Sequence, residues 1–461
     1  MNIALININI RPYMDKAYFP IGLAYVATAM KHAGYTFDII DIEAHRYSDR
    51  EIEEILTKKI YDVIAFGTLV SGYKFAKNVA SIARKTNRGA IIIAGNSVAS
   101  SIPEHLLKNT EVNIAVKGEG DITICKLLRA IEDKTPLEGV KGIVFLKDGE
   151  IVDTGYETVM NIEDVGHPDW DLFDMGLYVS KAIQDVRKPY PIPIEKIKAF
   201  VVNTARGCAF RCSFCYHVFQ YAKYRYRSPQ SILSEVALLQ EKYGINYINF
   251  FDELTFFTKK QVIDFVDKLL DIGIEFYWNA DIRSNLFTKD DIELLRKIKK
   301  AGCQGLGYSL ESGNPEILKT MNKKLTVEDF IEQKKALDKA GIKTMTSLVI
   351  GYPQETLETL KQTFDICYDL NIYPSVGYLL PQPGTPMMEA AQQKGYADDM
   401  EDYLLKMGDR QDLRFNLTNL PDNVLADAVT FHLQRISDKL GLGLRSEQLT
   451  RTYTHITSKE S

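Results

Sequence analysis

The spacing of its short apolar runs constrains the fold of this chain most. Residues 2–8, 37–42, 62–68, 90–94 and 112–116 are apolar stretches of five to seven residues. Between them, residues 21–34, 51–59, 73–85, a short segment from Pro103, and 121–131 carry apolar residues at helical spacing. Strand and helix alternating in this way predict an α/β fold, a parallel, flavodoxin-like doubly wound sheet over residues 1–133. Ligands of such sheets bind beyond the carboxyl ends of the strands. Here those ends are the loops 9–20, 69–72, 95–101 and 117–120, small and polar, the last three bearing glycine.

The alternation resumes with a longer repeat. Strands are expected at 199–203, 247–251, 276–283, 304–310, 343–350 and 375–380, with helices such as 229–243 and 260–270 between them. Six units predict a partial (β/α)6 barrel over residues 196–390, its functional groups on the carboxyl-end face. Residues 134–195 read as a connector, with a hairpin of 142–145 and 150–153 around Asp148-Gly149. Trp170 is expected to pack between domains. Residues 391–461 read as a helical region, with a helix over 423–440 expected to cap the barrel mouth or mediate oligomerisation. The polar end, 450–461, is expected to fray.

Composition narrows the function. With 461 residues there is room for two or three cores, and 45% hydrophobic with 25% charged residues is ordinary for a globular protein. A net charge of −5 leaves no electrostatic footprint for nucleic acid. No apolar run reaches the eighteen residues of a membrane span. The opening residues lead straight into a strand pattern with no secretory signal. Clustered, unpaired thiols fit a reducing compartment, so a cytoplasmic location is expected.

Those thiols carry the chemistry. Cys208, Cys212 and Cys215 stand in a CxxxCxxC spacing. Three thiolates this close hold a metal centre but leave a coordination position unfilled, whereas a structural zinc takes four ligands and iron–sulfur clusters usually take four cysteines. The clip therefore points to a cluster with one iron open to a small molecule. His217 keeps a Cys3His zinc site open as the alternative. Cys125, Cys303 and Cys367 are isolated and read as small hydrophobes.

The clip, with Phe214 just before its third cysteine, closely resembles the motif of the radical S-adenosylmethionine enzymes. The resemblance implies a 4Fe–4S cluster whose free iron chelates S-adenosylmethionine. It extends to the later strand ends. Asp252-Glu253 stands where that family has a Gly-Gly-Glu-like element meeting the methionyl amino group. Arg283 and the Ser309-Leu310-Glu311-Ser312-Gly313 segment match positions that meet carboxylate and ribose. The strand ending in Ile350-Gly351 matches the one flanking adenine. Upstream, the first domain resembles the cobalamin-binding domain of one large branch of the family, through Phe19-Pro20-Ile21-Gly22-Leu23, Ala94-Gly95-Asn96-Ser97 and Lys117-Gly118-Glu119-Gly120-Asp121. Pro-Gly-Thr-Pro at 383–386 is typical of the same branch. The implied cobalamin contacts are Leu69, Val70, Ser71, Gly95, Asn96, Ser97, Gly118, Glu119 and Gly120. No Asp-x-His-x-x-Gly motif follows the first strand, so cobalamin is expected to bind without a histidine lower ligand.

The implied activity is a cobalamin-dependent radical methyltransferase acting on an sp³ carbon of a small molecule, with a one-electron donor such as flavodoxin or ferredoxin. A radical cyclase or oxidoreductase on the same scaffold is the runner-up. Methylthiolation of transfer RNA would call for a further cysteine triad in the first domain, which holds only Cys125. A non-catalytic cobalamin or metal sensor would not need the ordered strand-end motifs. Tyr216 and His217 are the candidate catalytic residues. With Phe219, Tyr221, Tyr224 and Tyr226 they either face the substrate or pack between domains.

Overall fold

The computed structural model describes residues 1–14, 16–183, 186 and 189–451; most of the polar end expected to fray lies outside the described residues. Strands β1 (Ile3–Asn7), β2 (Asp38–Asp41), β3 (Val63–Gly67), β4 (Ile91–Gly95) and β5 (Ile114–Val116) form a parallel sheet in the order 2-1-3-4-5. Their unbroken apolar runs follow from burial on both faces: Ala4, Ile6 and Ile64 pack into one core, and Ile3, Leu5 and Val63 into another. The expected hairpin forms as β6 (Ile143–Lys147) and β7 (Glu150–Asp153), turning at Asp148 and Gly149, both with positive φ. It does not stand apart in a connector. β6 pairs antiparallel with β5 and extends the sheet to seven strands, because the short β5 would otherwise leave an unpaired edge.

The second unit is an open barrel. β8 (Ala199–Val202) is followed by a two-residue ribbon, β9 (Ala205–Arg206) against β10 (Arg225–Tyr226). Then come β11 (Tyr247–Phe250), β12 (Tyr277–Asp281), β13 (Cys303–Gly307), β14 (Lys343–Met345), β15 (Ser347–Ile350) and β16 (Ser375–Tyr378). The expected strand over 343–350 is broken at Thr346, whose hydroxyl donates to Tyr308 O (2.7 Å) and accepts from Leu310 N (3.1 Å) in place of the regular ladder. A five-stranded parallel sheet and the β15–β16 pair result, joined by a bridge between Glu311 and Leu348.

Local chemistry sets this repeat. The helices after β8, β11, β13 and β15 start at Ser228, Thr258, Thr326 and Thr356, each side chain accepting from a first-turn amide. Three of them end on a left-handed glycine, Gly244, Gly273 and Gly341, where a side chain would be strained.

Trp170 is buried, stacked on His167 at 4.6 Å, and belongs to a core that joins Ala17, Phe19 and Ala24 to the barrel's outer layer. The final helix, Asp422–Lys439, does not cap the mouth. It packs on the outer-wall helix Leu357–Asp369, with His432 stacked on Phe364 at 5.1 Å, because its apolar face finds that wall's exposed apolar stripe. The preceding helix, Met400–Lys406, reaches the first domain instead, where Glu401 accepts from Tyr73 (2.7 Å) and Lys77 (2.6 Å) and meets His105 (2.8 Å). No described helix is long and apolar enough to cross a membrane.

Candidate functional site

The ribbon β9–β10 zips the ends of the loop that carries the three cysteines. Inside it, Cys215 N donates to Cys212 O (3.1 Å), and Arg211 donates to Cys208 O (3.0 Å) and Gln220 O. Ser213 anchors the loop to the chain after β13, through Met321 O (3.0 Å) and Thr320 O (2.9 Å), and to the end of β15 through the Tyr352 hydroxyl (3.0 Å). All six cysteines are free. Burial raises the Cys208 thiol; Cys215 opens onto the cavity, yet its depth in the protein, with the neighbouring Cys212 and Cys208, pushes it up to about 12. Such thiols resist ionising together until a cation offsets their charge. Among the described residues no three His, Cys, Asp or Glu side chains converge at single-ion spacing, so His217 does not complete a zinc site. Thiolates that hold different irons of one cluster need not converge.

Beside the loop lies a buried charged group. The Arg283 guanidinium sits 3.7 Å over the Phe210 ring and donates to Lys323 O, while its Nε has no partner. Lys323 Nζ donates to Glu311 Oε1 (2.6 Å), and Glu311 Oε2 has no partner. Glu311 holds a left-handed φ of 63° between Ser347 O and Val349 N, and Ser309 Oγ lies 2.7 Å from Ser347 Oγ. Buried polar atoms are rarely left single. An orphaned donor and an orphaned acceptor on two residues joined through Lys323 fit a ligand with both an acid and hydroxyls, as S-adenosylmethionine has. Lys323 escaped the sequence reading because its one signal is a lysine pair after a short helix.

Other expected residues sit differently. Asp252 commits both oxygens to the end of β8, accepting from Thr204 N (2.8 Å), Ala205 N (3.0 Å), Asn203 Nδ2 (3.1 Å) and Thr204 Oγ1 (2.8 Å). Asp252 and Glu253 both line the cavity; Glu253 is exposed there, and its depth in the protein raises it to about 7. Ile350 turns its side chain into the outer core and its carbonyl to Leu379 N (2.7 Å); Gly351 N donates to Glu355 (3.3 Å). Phe214 packs edge-on to Tyr352 at 6.4 Å.

A cavity of about 670 Å³ joins this region to the first domain. It runs over the strand ends at Leu69, Gly95, Asn96 and Ser97, then down between the sheet residues Ala65 and Ile93 and the helix residues Gly22, Val26 and Ile124. That slot between sheet and helices suits the flat ring and nucleotide tail of a cobalamin. At the other end the cavity is lined by Cys215, Tyr216, His217, Phe219 and Glu253. Val70 is buried, donating its amide to Ser97 Oγ (2.8 Å), and Ser71 does not line the cavity. None of His32, His45 and His105 lines it.

The 118–120 turn lines the cavity, and two of its amides are taken. Gly118 N donates to Ser100 Oγ (3.2 Å) and Glu119 N to the Tyr221 hydroxyl (3.1 Å). Gly118 has φ 68°, and a Cβ there would fall 2.6 Å from the Tyr221 ring. Arg206 reaches across from the cluster loop to Glu119 (2.6 Å) and Asp121 (2.8 and 3.1 Å), and Arg225 also pairs with Glu119. Arg206 and Arg225 were not singled out in the sequence, since nothing local ties residues 85 or more positions apart. Tyr216 fills the space left by Gly384, where a Cβ would lie 2.8 Å from its ring, which accounts for the Pro-Gly-Thr-Pro turn. His217 is buried with neither ring nitrogen partnered, and burial with nearby Arg211 lowers it to about 4. Tyr224 donates to Thr255 O (2.8 Å), and Tyr226 packs on Phe256.

Comparison with known proteins agrees with this geometry. Residues 202–367 match the radical SAM superfamily and residues 15–128 the B12 binding domain. An uncharacterized methyltransferase of Pyrococcus horikoshii is 28% identical over 81% of this chain and 78% of its own. The anaerobic magnesium-protoporphyrin IX monomethyl ester cyclase of Cereibacter sphaeroides is 26% identical over 83% of this chain, which spans only 62% of that relative's length. The radical S-adenosylmethionine methyltransferase TsrM from Kitasatospora setae, solved with cobalamin and a [4Fe-4S] cluster, shares the fold with a TM-score of 0.64 at 19% identity, over 85% of this chain and 75% of its own. The cofactors of the two matched domains are a 4Fe–4S cluster with S-adenosylmethionine, and cobalamin.

Proposed function

We propose that this chain, a radical S-adenosylmethionine protein that carries a B12-binding domain, methylates an unactivated carbon of a small-molecule substrate. One observation carries the reading: a single cavity touches both the strand ends of the first domain and the cysteine loop of the barrel. A methyl carrier and a radical source therefore face one substrate.

When bound, the cluster with S-adenosylmethionine supplies a radical able to remove hydrogen from carbon, and cobalamin supplies a transferable methyl group. The chain's residues hold and orient them. Cys208, Cys212 and Cys215 would hold the cluster. Arg283 and Lys323 take the carboxylate of S-adenosylmethionine, Glu311 takes ribose hydroxyls through Oε2, and Glu253 meets the amino group. Leu69, Gly95, Asn96 and Ser97 would hold the corrin side of a bound cobalamin. Tyr216, His217 and Phe219 close the cavity between the two cofactors, so the substrate sits against them, shielded from water. A small one-electron carrier such as a flavodoxin or ferredoxin would supply the electron that the bound cluster needs.

The cyclase relative supports a second reading, in which the same site closes a ring or oxidises its substrate. Incubation with methyl-deuterated S-adenosylmethionine separates the two. A methyltransferase puts the label into product; product without label excludes methyl transfer.

A further inference from the structure

We infer that Glu119 is a positioning residue for the cluster, so that cobalamin bound to the first domain steadies the cysteine loop of the barrel. The inference concerns how the two cofactors are held and stands whichever reaction the site performs. It begins with the ribbon that closes the loop. β9 and β10 are two residues each, with Arg206 directly opposite Arg225 and Ala205 opposite Tyr226. Cys208, Cys212 and Cys215 all lie between them in the chain. A two-stranded ribbon this short has little stability of its own, and like charges facing each other across it push it apart. An acid between the two guanidinium groups is what keeps the loop closed.

That acid comes from the other domain. Glu119 Oε2 accepts from Arg206 Nη1 (2.6 Å) and Arg225 Nη1 (3.3 Å), and its Oε1 accepts from Arg225 Nη2. Asp121 also takes Arg206, but among the described residues Arg225 has no ion pair besides Glu119. Glu119 is 8% exposed, so these cations and not water hold its charge. The same turn grips the loop a second time. Glu119 N donates to the Tyr221 hydroxyl (3.1 Å), and the Tyr221 ring stacks on Tyr156 at 4.2 Å. The other side of the turn meets the slot that suits cobalamin. Glu119 and Gly120 line the cavity, and a Cβ at Gly120 would come 3.1 Å from Val26 Cγ2 on the helix wall of the slot. A ligand filling the slot fixes the turn, and a fixed turn keeps Glu119 between the two arginines. Coupling of this kind is reciprocal, so a cluster in the loop raises the affinity for cobalamin.

The test is iron release from the full chain, reconstituted with its cluster, to excess bathophenanthroline disulfonate with and without saturating hydroxocobalamin. In wild type the cobalamin should slow release several-fold, and an unchanged rate would overturn the inference. Glu119→Gln should release iron several-fold faster, at one rate whether or not cobalamin is bound, its occupancy read from the visible spectrum. Slowing that persists in this variant would mean that the corrin simply shields the cluster, and would overturn the role of Glu119. Glu119→Gln/Arg225→Gln removes the stranded cation together with the acid. Its iron retention should recover toward wild type while the cobalamin dependence stays absent. Release as fast as in the single variant would refute the charge balance across the ribbon. Cobalamin affinity, measured by spectral titration, should fall several-fold in Cys208→Ala, which lacks the cluster. Equal affinity there would overturn the coupling, and this arm needs no Glu119 variant to fold. None of these outcomes bears on methyl transfer, which the deuterium label reads separately.

Discussion

Arg206→Gln is the most informative perturbation of the domain junction. The Arg206 guanidinium is nearly sealed from solvent, bonded to Glu119 at 2.6 Å and to Asp121 at 2.8 and 3.1 Å. Removing one partner of a buried ion pair costs about 3–5 kcal/mol, because the remaining charge stays desolvated. Glu119 keeps Arg225 and Tyr221, so the loss falls on Asp121 and the low end, about 3 kcal/mol, applies. At tenfold per about 1.4 kcal/mol, local opening becomes about 100-fold more frequent. Native-state hydrogen exchange reads this directly. Amides in residues 205–227 and 118–132 should lose protection together, although they belong to different domains. The double variant Arg206→Gln/Asp121→Asn should lose about 1 kcal/mol less than the sum of the two single variants, since they share one interaction. Faster exchange confined to the barrel loop, or strict additivity, would refute the strut.

Three further outcomes follow from single atoms. Gly118→Ala places a methyl 2.6 Å from the Tyr221 ring on a backbone at φ 68°, and should cost about 1–3 kcal/mol and weaken cobalamin binding, measured by thermal unfolding and spectral titration. Lys323→Met strips Glu311 of its one ion-pair partner among the described residues and should lower both stability and S-adenosylmethionine affinity, the latter about tenfold or more by equilibrium binding. Glu355 is buried and raised from 4.5 to about 7 by desolvation. Its folded form holds a proton that the unfolded chain releases, so stability is full below pH 4.5 and falls by about 3 kcal/mol as pH rises to 7. Glu355→Gln should therefore melt above wild type at pH 8 and level with it near pH 4.5; an equal gap at both would contradict the account.

Most of the scaffold was legible because each element carries its own signal. Continuous apolar runs announce buried strands, and Ser228, Thr258 and Gly244 punctuate helices locally. The cysteine clip was legible for the same reason, since its spacing lies within one loop. What escaped was set by tertiary packing. The Arg206–Asp121 pair spans two domains, Lys323 becomes meaningful only beside Glu311, and the split at Thr346 depends on Tyr308 from the neighbouring strand. At Asp252 and Ile350 the strand ends were placed correctly from sequence, yet Asp252 lines the cavity with both carboxylate oxygens spent on the end of β8, and Ile350 turns its side chain into the core. At Gly118 and Gly384 the glycines were visible, but the tyrosine rings that require them were not.

The central claim is that cobalamin and the cluster occupy opposite ends of one cavity with the substrate between them. Electron paramagnetic resonance of the reconstituted protein tests it most directly, with cobalamin as cob(II)alamin and the cluster reduced. Two paramagnets sharing this cavity should broaden and split each other's signals, and a Cys208→Ala variant lacking the cluster should return the cob(II)alamin spectrum to its isolated form. Signals that superpose without interaction, in protein with both cofactors bound, would contradict the account.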